Sequence, residues 1–194
     1  MDFTGDILDK VREYAKKAEK PERYQHSLRV AEMAREMCLR YGEDPDRGYF
    51  TGLAHDICKD LDDQTQLELA GKDGQEISAL ERERPFLLHG RSAAVMLREE
   101  FGVDDDDVIQ AVANHTFGCK DPCALAKIIF AADKIEPGRP QSTEEYRKKL
   151  LSMPLDQMTL SVLHGHADFL KSIGLRVAPI SHIFEESLMG GDAQ

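Results

Sequence analysis

The run Thr51-Gly52-Leu53-Ala54-His55-Asp56-Ile57-Cys58-Lys59 sets a histidine directly before an aspartate inside a stretch of small and apolar residues that suits a buried helix. A carboxylate is costly to bury unless it is paired or bound to a cation. Imidazole, its neighbour here, is the commonest metal-ligating side chain. Adjacent helical positions lie about 100° apart. His55 and Asp56 can therefore face one cation together, and Asp56 keeps an oxygen for a second. Any fold this chain adopts has to bring compensating charge to this point.

The rest of the chain reads as helices that could bring it. Phe3, Ile7, Leu8, Val11, Tyr14 and Ala15 follow helical spacing. After Pro21 a second helix carries Tyr24, Ser27, Val30, Ala31, Ala34, Met37, Cys38 and Tyr41 and stops at Gly42, with His26 on its buried stripe. Asp44-Pro45 is an N-cap followed by a first-turn proline, and opens the helix that ends in His55-Asp56. Residues 62–84 are highly charged and read as short helices with loops around Gly71 and Gly74. Leu87-Leu88-His89-Gly90 begins another helix, closed by Gly102, with His89 facing the same way as Ala93. Asp104 to Asp107 is a helix start, where carboxylates complement the helix dipole, and not a calcium site. The helix that follows carries Val108, Ile109 and Val112 and brings His115 near its end.

Pro122 opens a helix with Leu125, Ile128, Ile129 and Ala132 on one side, and Asp133 falls on that buried stripe. Ile135 to Pro140 breaks the chain away. A charged helix starts at Thr143, a long one runs from about Leu155 to Gly174, and a last one follows Pro179 to about Leu188, with a frayed tail from Gly190 to Gln194. No alternation persists long enough for a strand. The expected fold is an all-α helical bundle, one domain across residues 1–194, with C-terminal packing helices over 142–188.

Composition removes several function classes. A formal charge of -11 argues against nucleic acid or an anionic membrane as partner. It also means that a polyphosphate substrate would need a local cation. No stretch approaches the roughly 20 apolar residues of a membrane span, and Asp2, Asp6 and Asp9 interrupt any leading apolar run. A cytoplasmic protein is expected. Cys119 and Cys123 supply only two of the four ligands a structural zinc requires and are not read as a zinc site.

His26, His55, Asp56, His89, His115 and Asp133 thus sit on five helical segments, on apolar faces or at helix ends. Singly each is an ordinary core histidine or capped aspartate. Together they have one common explanation, a metal centre of about residues 20–140, since imidazoles and carboxylates offset one another's burial only around cations. His164, His166 and His182 stand outside this pattern and read as surface or packing residues.

The His26…His55-Asp56…Asp133 spacing resembles the H…HD…D signature of HD-domain metal phosphohydrolases. Several segments are similar to the bacterial YqeK proteins, symmetrical dinucleoside tetraphosphate hydrolases: Arg23 to Glu32, Gly52 to Lys59, Asn114-His115-Thr116, and Ala132-Asp133-Lys134-Ile135-Glu136-Pro137-Gly138-Arg139. The likeness runs from about residue 8 to about 140. The loop from Phe117 to Cys123 departs from it, and the C-terminal third matches loosely.

The resemblance implies two divalent metals, iron first, with manganese or zinc suited to the same donors. His26, His55, Asp56 and Asp133 would hold one, and His89 and His115 the other, with Asp56 bridging. It implies a nucleotide substrate, cleaved at its central anhydride by metal-activated water, so that diadenosine tetraphosphate gives two ADP. Asp56 and Lys59 are then the catalytic residues, and Lys59, Arg29 and Arg139 the phosphate-binding ones. HD proteins of this kind often form homodimers, although no apolar stripe marks a dimer face. Two other readings stay open: another HD-domain nucleotidase, and a non-catalytic nucleotide or metal sensor.

Overall fold

Helices α2 (Pro21–Tyr41) and α3 (Pro45–Ala54) approach so closely that a Cβ added at Gly52 would stand 2.7 Å from Ala31 Cα. Glycine is the residue that lets these two backbones touch. It sits three positions before His55, so the same close approach brings His55 towards His26 on α2 (ring centroids 5.3 Å apart). This computed structural model describes residues 1–190. Among them are eleven α-helices, two 3-10 turns and no β-strand.

The remaining helices are α1 (Gly5–Ala18), α4 (Asp63–Ala70), α5 (Ala79–Glu83), α6 (His89–Glu99), α7 (Asp106–Asn114), α8 (Ala124–Ile135), α9 (Glu144–Leu151), α10 (Leu155–Ser172) and α11 (Pro179–Gly190). The expected all-α class is what the chain adopts. Local chemistry sets the boundaries where the sequence signalled them. The Asp44 carboxylate accepts from the amides of Asp46 and Arg47 to cap α3, and Gly42 ends α2 at φ 79°. Asp105 caps α7 and Thr143 caps α9. Asp105 also pairs with Arg47, so the acidic run is spent on a helix start and an ion pair. One boundary differs from expectation. Helix α8 opens at Ala124, not Pro122, because the Cys123 thiol accepts from the Ala126 amide as its N-cap.

Helix α2 packs against α3 and α8, α7 lies between α6 and α8, and α10 covers α8 and carries α11. The hydrophobic cluster among them runs from Phe3 to Leu188 and includes Val30, Ala34, Phe50, Leu53, Ile128 and Ile129, all fully buried. No helix of the described residues is long and apolar enough to cross a membrane. Of the tail expected to fray, Gly190 ends α11, and residues 191–194 lie outside the described residues.

Candidate metal centre

Three of the histidines are locked in the same way by their own helices. His55 follows the last residue of α3, and its Nδ1 donates to the Gly52 carbonyl at 2.6 Å. His115 follows α7, and its Nδ1 donates to the Val112 carbonyl at 2.8 Å. His89 opens α6 after the 3-10 turn Pro85–Leu88 and donates to the Phe86 carbonyl at 2.8 Å. A carbonyl can only accept, so in each neutral ring Nδ1 carries the proton and Nε2 presents a bare lone pair. At α3 and α7 the accepting carbonyls are among those a helix C-terminus leaves without a partner. Such hydrogen bonds to the outer nitrogen are what orient metal-ligating imidazoles.

The bare nitrogens converge. Donor atoms of His26, His55 and Asp56 lie within 4.8 Å of one another, and so do those of Asp56, His89 and His115. His89 Nε2 faces His115 Nε2 at 3.0 Å, and Asp56 Oδ1 stands 3.2 Å from the first and 3.5 Å from the second. Three acceptors crowd one point. His55 Nε2 is fully buried without any hydrogen-bond partner. A buried acceptor with no donor is costly unless something electrophilic occupies the space. The donor set therefore fits divalent cations, with Asp56 common to both triads.

Electrostatics agree. Burial holds the His55 imidazole down to about 4 and also lowers His89 and His115, which keeps all three in the neutral, ligating form. Burial opposes the charge of Asp56, and the Arg23 guanidinium, 3.2 Å from Oδ2, supplies a fixed positive partner for it. His26 differs. Burial opposes its charge, yet Asp133 and Glu136 on either side hold its pKa above the ordinary value, so a cation there displaces a proton. Asp133 belongs to neither triad. Its Oδ1 lies 3.1 Å from His26 Nε2 and 3.9 Å from His55 Nε2, at the edge of the first one, and accepts from Arg139 at 2.6 Å.

The three basic residues expected to meet phosphate are all engaged within the chain. Lys59 Nζ lies 3.1 Å from His89 Nε2, at the centre, and burial pulls its pKa down despite Asp56 and Asp133. Arg139 is on Asp133 and the Asp133 carbonyl. Arg29 lies one layer out, its fork taken by Glu136 at 2.6 and 3.2 Å, with Gly138 packed so tightly that a Cβ there would meet the guanidinium at 2.4 Å.

Sequence reasoning gave no role to three residues that hold the centre in place. Glu136, 1% exposed, accepts from His26 Nδ1 at 3.1 Å. Arg23 donates to Asp56 Oδ2 at 3.2 Å and to Asp60 at 2.8 Å. Lys134 bonds the His115 carbonyl at 2.9 Å and Asp133 Oδ2 at 3.3 Å, with its ammonium over the Phe130 ring. For Arg23 and Glu136 a signal existed, since each lies three positions, about one turn, from a ligand on its own element. Lys134 offered none, because a lysine beside an aspartate usually points to solvent. His166 is half-buried on α10, where burial and the Lys134 charge hold its imidazole down to about 4. His164 pairs with Glu185 at the surface at 2.6 Å.

Residues 23–138, which contain every ligand above, match the HD domain family. The chain belongs to the HD domain family. Over 134 residues, 68% of each chain, it is 35% identical to the symmetrical bis(5'-nucleosyl)-tetraphosphatase of Staphylococcus aureus. It is 27% identical over 169 residues to the Bacillus subtilis protein of the same name, covering 87% of this chain and 90% of the other. The crystal structure of an HD superfamily hydrolase from Clostridium acetobutylicum, described as involved in NAD metabolism, superimposes with a TM-score of 0.85 at 28% identity, over 94% of this chain and 97% of that one. The HD match and the His/Asp cluster together mark a divalent-metal site.

Proposed function

We propose that this HD protein hydrolyses dinucleoside tetraphosphates symmetrically, diadenosine tetraphosphate to two ADP, using two divalent cations of which iron is the first choice. The observation that carries the reading is the inward set of unprotonated Nε2 atoms gathered around Asp56. Symmetrical tetraphosphatases among its relatives supply the substrate. His26, His55 and Asp56, with Asp133 at the edge, hold one cation; Asp56, His89 and His115 hold the other. Cations bound there supply Lewis acidity towards phosphate oxygens and solvent at neutral pH.

The chain's own groups do the rest. Asp56 ties the two halves together. Lys59, largely shielded from water, offers an ammonium to a phosphate on the His89 side, where a charge-assisted hydrogen bond is strong. Arg139 stands at the His26 side, more exposed than Lys59, and can exchange Asp133 for a phosphate oxygen. Arg29 supports Glu136 and reaches phosphate only by releasing it. A single HD domain, cytoplasmic and dimerising, completes the reading.

The test is turnover of protein purified without chelator and supplied with Fe(II) or Mn(II), against a panel of dinucleoside polyphosphates and nucleoside monophosphates. ADP as sole product from diadenosine tetraphosphate is expected. Orthophosphate release from monophosphates, or no turnover at all, overturns the proposal.

A further inference from the structure

Six threonines occur in the chain, and five have ordinary local partners. Thr51 and Thr159 bond back to carbonyls one turn earlier, Thr143 caps α9, and Thr4 and Thr65 bond nearby aspartates. Thr116 is different. Its Oγ1 stands 3.4 Å from His89 Nε2 and 3.4 Å from His115 Nε2 and makes no other hydrogen bond in the structure. Those two nitrogens are the ones that face each other at 3.0 Å with their protons committed elsewhere, His89 to Phe86 and His115 to Val112. Both are acceptors, and the hydroxyl is a donor beside them, shared between the two at equal distance, while the Lys59 ammonium also reaches His89 Nε2 at 3.1 Å.

A cation at the His89/His115 half takes both lone pairs. The Thr116 hydroxyl would then need another acceptor for its proton. A half-buried hydroxyl left without a partner is unfavourable. Asp56 Oδ1, the nearest carboxylate oxygen to these rings, is drawn to the same cation. The acceptors that arrive with a polyphosphate are its nonbridging oxygens, which accept only and carry charge.

We propose that Thr116 Oγ1 donates to a nonbridging phosphate oxygen of the nucleotide bound at the His89/His115 half, as a substrate-binding residue. This rests on the tetraphosphatase reading. It assigns the step from Asn114-His115-Thr116 to the divergent loop as the place where a phosphate is gripped.

The experiment compares wild type, Thr116→Val and Thr116→Ser in the full-length, metal-loaded protein. It reads metal per chain by elemental analysis, inorganic pyrophosphate affinity by calorimetry, and kcat/KM on diadenosine tetraphosphate. Valine keeps the shape and removes the donor, so metal content should hold while pyrophosphate affinity and kcat/KM fall about 10- to 100-fold, the worth of a hydrogen bond to a charged acceptor. Serine should restore both to within about threefold of wild type, since it keeps the donor. A valine variant equal to wild type in pyrophosphate binding overturns the proposal. So does one that loses metal, because the hydroxyl would then serve the ions. If wild type binds pyrophosphate but leaves diadenosine tetraphosphate intact, the tetraphosphatase reading fails while the pyrophosphate titration still judges Thr116.

Discussion

Glu136 accepts the Nδ1 proton of His26 at 3.1 Å with one carboxylate oxygen and the Arg29 guanidinium at 2.6 Å with the other. The two residues that meet here are 110 positions apart in the chain. A ligand's orientation on α2 is therefore set by the turn that leaves α8.

Glu136→Gln should weaken cation binding at the His26/His55/Asp56 triad by about 10- to 100-fold, as loss of an orienting partner typically does. The His89/His115 half should be untouched. Metal titration followed by calorimetry reads both phases. Two unchanged phases would show that His26 is held without Glu136.

Asp56 is the one carboxylate shared by both triads. Asp56→Ala should cost both cations and lower turnover at least about 100-fold, while far-ultraviolet circular dichroism keeps its helical signal. Full activity in that variant sinks the two-cation scheme.

Lys59 lies against His89 yet has only a lowered pKa and no carboxylate within ion-pair distance. Lys59→Ala should retain metal and raise KM by about 10- to 100-fold, from loss of a charge-assisted contact. A fall in metal content with KM unmoved would instead make Lys59 a support for the His89 ring.

Glu19 is 5% exposed, accepts from Ser27 at 2.8 Å and leaves Oε1 without a partner. Burial raises its carboxyl to about 7, against a hydrogen bond from Ser27 that lowers it. The unfolded chain releases this proton near 4.5 and the folded one only near 7. Glu19 therefore lets the fold be stable below about 4.5 and costs stability progressively as pH rises to about 7. Glu19→Gln removes that loss, so its advantage over wild type in urea unfolding should be near zero at pH 4.5 and roughly 2–3 kcal/mol at pH 8. An advantage independent of pH would place the charge of Glu19 elsewhere.

Much of the centre was legible along the chain because each ligand breaks a helical pattern at a definite spot. His55 and His115 come where a helix runs out, His89 where one begins, and Asp133 on a stripe otherwise filled by Leu125, Ile128 and Ile129. Glu136, Arg23 and Lys134 break no such pattern. For Arg23 and Glu136 the one hint is a ligand three positions away, and for Lys134 there is none. Arg29 shows the converse: a helical arginine beside a ligand reads as a phosphate clamp until its partner carboxylate is seen.

The sequence by itself determined the helices, their caps and which residues need a cation or counter-charge to be buried, since periodicity and local hydrogen bonding are short-range. Only the tertiary structure decided which donor atoms meet. That depends on how closely α2 and α3 approach at Gly52, on the carbonyls that turn each Nε2 inward, and on contacts between residues about a hundred positions apart.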